Sequence, residues 1–339
     1  MIKEKKKIKK QEAASELRMD LVSNDWVIIA TGRSRRPETF AKNKAKRKEV
    51  SPSDCPFCKE TILDQGVTLR YDKPDGVWSL ISVKNKYPAV SEDTDLNPRK
   101  VGPNRIINGV GFHEVIITSD HNKQVAQFSK DQVKEVIDAY HARYLDLMTK
   151  EHIKYISIFH NHGPKAGASI SHPHSQLIAI PVLDPHLRSS LDGADDYFRS
   201  QGKCVYCEML EWDLKEGERI IYENEKFVVL CPFASQVSFE VRVYPKDHSP
   251  YFERMDEPTK WLFADALQMA LDKTYKGLND PDYNFYIHTA PCDGSNYDNY
   301  HWHLIISPKT STWAGFELGT GVEISTIEPE KAAAYLKKT

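Results

Sequence analysis

One order of parts occurs twice along this chain, and that duplication limits its folds more than any single motif does. Each copy opens on a Cys-x-x-Cys pair, Cys55 with Cys58 and Cys204 with Cys207. Apolar, strand-like segments follow, Glu114 to Ile117 in the first copy and Phe227 to Leu230 then Phe239 to Val241 in the second. They lead into Asp120-His121 and Asp247-His248. A helix candidate, a further strand (Ile156 to Phe159, Phe285 to Ile287) and a His-x-His complete each copy: His172 with His174, His301 with His303. His121 and His172 lie 51 residues apart, His248 and His301 53 apart, so the copies also agree in length.

The helices are legible from their starts and stripes. Ser129 and Gln132 form a capping-box pattern ahead of Val133, Val136, Ile137, Tyr140 and Tyr144 on one face. Asp256 and Pro258 suit a second start, with Leu262, Ala266, Met269 and Ala270 as its stripe. Strands mixed with one long helix per copy predict an α+β fold, each copy a mainly antiparallel sheet carrying a helix. The charged, apolar-poor stretch Arg188 to Gln201 separates the copies, which divides the 339 residues into domains 1–195 and 196–339.

Composition removes several function classes. A formal charge of −2 offers no global attraction for nucleic acid or anionic lipid. Clean apolar runs such as Leu177 to Ile180 fall far short of the ~20 residues that span a bilayer, so no membrane partner is expected and the chain reads as cytoplasmic. The lysine-rich start, Lys3 to Lys10, reads as a solvated terminus. Six cysteines without an export signal argue against a disulfide framework and toward metal binding, with Cys231 and Cys292 left as reduced thiols.

A zinc site takes about four soft or borderline ligands, and a Cys-x-x-Cys turn supplies two thiolates. The repeat nominates the other two in each copy. The expected sets are Cys55, Cys58, His121 and His172, and Cys204, Cys207, His248 and His301. Closed Cys₂His₂ shells leave no position for water or substrate, so both zinc sites are expected to be structural. His141, His152 and His186 read as ordinary hydrogen-bonded histidines. A zinc ribbon for nucleic acid would pair one Cys-x-x-Cys with another, and each pair here has its own histidines.

If zinc holds His172, His174 is free for chemistry. A neutral imidazole is nucleophilic near pH 7 and can take a phosphoryl group as a phosphoramidate. Its second nitrogen needs an acceptor, for which the His172 carbonyl is the candidate. Gln176 can donate its amide to a nonbridging oxygen, and Asn161, Ser169 and the backbone around Gly163 and Gly167 can add donors. Arg33, Arg35 and Arg36 suit a diphosphate, although such a run is more often solvated surface.

These residues resemble the galactose-1-phosphate uridylyltransferases, a tandem branch of the histidine-triad superfamily, over nearly the whole chain. The resemblance rests on Asn24 to Pro37, on Phe159-His160-Asn161-His162-Gly163 through His172-Pro173-His174-Ser175-Gln176, and on Gly315-Phe316-Glu317. It implies two tandem histidine-triad-like domains and ping-pong transfer from a nucleoside diphosphate sugar, UDP-glucose or ADP-glucose. His174 is then the nucleotidylated residue, Gln176 the phosphoryl clamp, and Arg33, Arg36, Asn85, Asn161, Gly167 and Ser169 substrate contacts. Glu317 is implied to reach the sugar phosphate from the partner subunit of a homodimer. The first reading is transfer to a hexose 1-phosphate. Two departures support an alternative: where the transferase pattern has lysine and glutamine, this chain has Ser311 and Glu323, and Gly315 to Gly321 is similar to the plant-type ADP-glucose phosphorylase branch, in which inorganic phosphate is the acceptor. Hydrolysis of dinucleotides is disfavoured by Gln176, and a noncatalytic zinc-binding protein would have no use for a free His174.

Overall fold

The structure, a computed structural model, describes residues 15–30, 37–40, 50–92 and 95–339. Arg33, Arg35 and Arg36 lie outside them. Strands β1 (Glu16–Met19) and β2 (Trp26–Ile29) and the short helix α1 (Pro37–Phe40) come first. The first repeat follows with β3 (Val67–Asp72), β4 (Trp78–Lys84), the hairpin β5 (Arg99–Val101) and β6 (Asn104–Ile106), β7 (Phe112–Thr118), helix α2 (Lys130–Leu147), β8 (Tyr155–His162) and β9 (His174–Ile180). Helix α3 (Pro185–Gln201) leads to the second repeat: α4 (Val205–Glu216), β10 (Ile220–Glu223), β11 (Phe227–Leu230), β12 (Val241–Pro245), α5 (Glu257–Leu278), β13 (Tyr283–His288) and β14 (His303–Pro308). The chain closes with α6 (Gly315–Thr320), β15 (Glu323–Ser325) and α7 (Pro329–Lys337).

Ten of these strands form one antiparallel sheet in the order β10-β11-β12-β14-β13-β8-β9-β7-β4-β3. Each repeat supplies five neighbouring strands in the same internal order, and the two sets meet edge to edge where β8 pairs with β13. Phe159, which faces Gln176 on β9, sits there opposite Tyr286, which faces Ile305 on β14. The repeats are thus related by a pseudo-twofold axis through that pair, and the fold is α+β around this central sheet, with β1, β2 and β15 forming a separate three-stranded sheet.

Alternation along the strands separates two faces. Ile156 and Ile158 of β8 and Leu177 and Ala179 of β9 join Val133, Ile137, Tyr140 and Tyr144 of α2 and Phe263, Leu267 and Ala270 of α5 in one apolar core spanning both repeats. The opposite face therefore carries Phe159 and Asn161, and His174 and Gln176. Both long helices start as their caps dictate: Ser129 and Gln132 exchange the two capping-box bonds, and the Asp256 side chain accepts from Thr259 N–H. Helix α2 is also pinned electrostatically. Arg143 makes a two-pronged, buried ion pair with Glu114 of β7 at 2.7 Å, and Ser82 and Thr68 donate to the same carboxylate.

One local expectation changes. Phe239 and Glu240 are not strand: Phe239 has φ 67 and Glu240 N–H closes a turn onto Val237, so β12 begins at Val241. The Phe239 ring packs edge-on against Phe40 and Tyr335, a tertiary contact that outweighs the apolar run. The stretch between the copies is a helix, α3, capped by Asp184 and burying Leu187, Leu191 and Ala194. Among the described residues no helix is long and apolar enough to cross a membrane.

Candidate active site and metal centres

The sheet brings the Cys-x-x-Cys turn, the end of β7 and the approach to β9 together. Cys58 Sγ lies 3.1 Å from His121 Nδ1 and 3.4 Å from His172 Nδ1, Cys55 Sγ is 3.6 Å from His172 Nδ1, and the two imidazole nitrogens are 3.3 Å apart. Both rings are turned by their other nitrogen: His121 Nε2–H donates to Val50 O at 2.7 Å and His172 Nε2–H to Thr118 O at 2.6 Å. Each Nδ1 thus presents a lone pair, and two lone pairs 3.3 Å apart beside two sulfurs repel unless a cation lies between them. A tetrahedral ion with ~2.0 Å bonds to nitrogen and ~2.3 Å bonds to sulfur would have edges of about 3.3–3.8 Å; three of these separations fall in that range and the Cys58–His121 one, at 3.1 Å, is slightly shorter.

The second group repeats the design. Cys207 Sγ is 3.3 Å from His248 Nδ1 and 3.6 Å from His301 Nδ1, while the Nε2–H groups donate to Asp298 O and Pro245 O. In each group the four candidate ligand atoms lie within 4.8 Å of one another, so Cys55, Cys58, His121 and His172, and Cys204, Cys207, His248 and His301, could each hold a metal ion. Orienting a ligating imidazole through a backbone carbonyl is the usual outer-shell arrangement.

His174 opens β9 two residues beyond His172 and uses the opposite nitrogen. Its Nδ1–H donates to His172 O at 2.8 Å, leaving the Nε2 lone pair for a substrate. Phe57, inside the Cys-x-x-Cys turn, stands edge-on to the ring at 5.0 Å. Burial lowers the His174 pKa, partly offset by its bond to the His172 carbonyl, so the ring stays neutral at pH 7. Beneath it, on the helix face, Ser175 Oγ bonds Tyr140 of α2 and His160 of β8.

Gln176 follows on the same face as His174, and Asn161 lies there on β8. Residues 163–173 form the rim. Gly163 has φ 82 and abuts Asp282, where a Cβ would stand 2.1 Å from the carboxylate, and Asp282 accepts from Lys165 N–H. Gly167 and Ser169 are exposed on this rim, and Asn85 is half-buried just after β4. Glu317 is elsewhere. Its carboxylate accepts from Ala314 N–H at the start of α6, and among the described residues no hydrogen bond or ion pair joins it to the His174 network.

Two side chains that sequence reasoning passed over enter the site through the sheet. Asn284 of β13 donates to Asn161 Oδ1 at 2.7 Å and to Ala166 O at 2.8 Å, so the second repeat steadies the rim of the first. His113 of β7 lies 2.9 Å from Gln176. Neither stands in a motif, and the pairings that deliver them join residues 123 and 63 apart in sequence. The counterpart of His174 is differently placed. His303 donates to His301 O but lies under Tyr244 and beside Tyr206, and Ile305 occupies the position of Gln176.

Known proteins are similar to this chain over nearly its whole length. Residues 4–183 match the family described as galactose-1-phosphate uridyl transferase, N-terminal domain. The chain is 37% identical to an ADP-glucose phosphorylase of Arabidopsis thaliana over 97% of its own length and 94% of that protein's. It is 30% identical to a galactose-1-phosphate uridylyltransferase of Thermotoga maritima, covering 96% of this chain and 98% of the relative. A crystal structure of an ADP-glucose phosphorylase from Arabidopsis thaliana with bound ADP-glucose superposes with TM-score 0.81 at 34% identity, covering 96% of this chain and 99% of that one.

Proposed function

Because this chain belongs to the galactose-1-phosphate uridylyltransferase family and is a nucleotidyltransferase, we propose that it works by a ping-pong path through nucleotidyl-His174. The observation that carries this reading is the orientation of His174, neutral, with Nδ1–H engaged by the His172 carbonyl and Nε2 open. The Nε2 lone pair attacks the α-phosphorus of a nucleoside diphosphate sugar, the bond from phosphorus to the bridging oxygen breaks, and a sugar 1-phosphate leaves. An oxygen of the second phosphate then attacks the same phosphorus, and the P–N bonding pair returns to Nε2. Gln176 and Asn161 donate amide hydrogens to the nonbridging oxygens, and Gly167 and Ser169 lend donors from the rim. Arg33 and Arg36 carry positive charge to the diphosphate, and Asn85 contacts the nucleoside.

For the acceptor we favour inorganic phosphate with an adenylyl group. Likeness to the Arabidopsis ADP-glucose phosphorylase runs the length of the chain, and Ser311 and Glu323 replace a cation and an amide of the transferase pattern. The Thermotoga relative supports the second reading, a hexose 1-phosphate accepting a uridylyl group. We assign zinc to both Cys₂His₂ groups, where closed shells would brace the fold and leave the chemistry to His174. Thiolate ligands suit a reducing cytoplasm. We further propose a homodimer in which α6, with no buried residue and with Phe316 and Leu318 exposed, brings Glu317 to the partner's site.

The test uses ADP-glucose and UDP-glucose labelled at the α-phosphorus. Wild type is expected to retain acid-labile label and His174→Gly to retain none; equal labelling of the two would refute the mechanism. Discharge by phosphate supports the first acceptor, and discharge only by galactose 1-phosphate the second.

A further inference from the structure

Gln176 can help a phosphoryl group only if its amide hydrogens, and not its carbonyl, face the phosphorus. A carboxamide is nearly symmetric in shape, so something must set which end points outward. His113 is built to do so. Its backbone carbonyl accepts from Asn85 N–H at 2.8 Å, fixing the strand against the residues after β4. Its Nδ1 accepts from Ala89 N–H at 3.1 Å, which requires that nitrogen to carry no proton. The neutral ring therefore bears its proton on Nε2, which lies 2.9 Å from Gln176 Oε1. The Asn85 amide nitrogen, 3.0 Å from the same Nε2, cannot accept that proton, because Asn85 Oδ1 is held by Tyr87 N–H and fixes the nitrogen as the near atom.

We infer that His113 is a positioning residue: through the chain Ala89 N–H to Nδ1 and Nε2–H to Gln176 Oε1, it orients the Gln176 amide donors toward the group transferred to His174. This rests on the nucleotidyl-His174 reading. One ring reads a backbone donor and passes the polarity on to a side chain on the neighbouring strand. The Asn85 amide hydrogens are left for another acceptor, so nucleoside and phosphoryl contacts share one hinge point.

Two variants separate this role from simple support of the loop. In His113→Asn the side-chain oxygen can still accept from Ala89 N–H, but nothing reaches Gln176. In His113→Gln the amide nitrogen can still donate to Gln176 Oε1, while the bond to Ala89 is lost. Each is made alone and with Gln176→Ala, and label uptake is followed in single turnover with whichever of ADP-glucose or UDP-glucose labels the wild type. At saturating nucleotide sugar the asparagine variant is expected to label about tenfold more slowly, with the half-saturating concentration changed less than about threefold. The glutamine variant is expected within about threefold of wild type, and adding His113→Asn to Gln176→Ala to cost less than about twofold. Wild-type rates in the asparagine variant, a glutamine variant as slow as the asparagine one, or an undiminished tenfold loss in the Gln176→Ala background would each overturn the inference. A wild type that takes no label would instead bring down the reading of His174, and this inference with it.

Discussion

Glu323 shows how one buried side chain carries a stability cost. It is buried on β15, and burial, with Glu317 and Glu240 adding to it and Lys309 opposing, raises its carboxyl to about 7 from 4.5. The folded pKa lies above the unfolded one, so its favourable contribution is complete below pH 4.5 and is lost as pH rises through about 7. Glu323→Gln should therefore unfold like wild type at pH 4.5 and be more stable at pH 8, by on the order of 1 kcal/mol in urea titrations. Identical pH dependences would show that the carboxylate is not strained. Legibility at this scale was uneven. His174 and its bond to the His172 carbonyl follow from residues two apart, whereas His113 had no local signal because its partner lies on another strand.

Elements explain why one Cys-x-x-Cys pair should matter to the chemistry more than the other. The first turn delivers Phe57 against His174 and, with His172, sets where β9 begins. The second lies against His303, which is covered by tyrosines. Cys58→Ser should lower thermal stability, lose one metal equivalent and slow labelling of His174 at least about tenfold, since a misplacement of about 1 Å can cost a hundredfold. Cys207→Ser should lose the other equivalent and stability while folded protein labels within about twofold of wild type. Elemental analysis with single-turnover labelling checks both, and equal losses would remove the distinction. Helix ends were readable because caps are local: Ser129 with Gln132, and Asp256 with Thr259. Phe239 misled because a positive φ leaves no mark in an apolar run.

The whole molecule joins two repeats through β8 and β13, and its proposed dimer would join two molecules through α6. If Glu317 serves the partner's site, His174→Gly and Glu317→Ala chains should each be impaired, and mixing them under conditions that exchange subunits should restore activity that neither has alone. A hybrid would own one site with both residues. A single-chain mass in light scattering, or no restoration, would exclude the shared site. The sequence by itself determined the duplication, both candidate metal sets, the candidate nucleophile His174 and the α+β character, because cysteine spacing, caps and the His-Pro-His run act over a few residues and the repeat cross-checks them. Only the tertiary structure decided that the copies share one sheet and one core, that Asn284 steadies Asn161 from the other repeat, and that His113 meets Gln176. Those contacts depend on which strand edges pair and in what register, and a chain's local pattern states which face a residue takes but not which strand lies beside it.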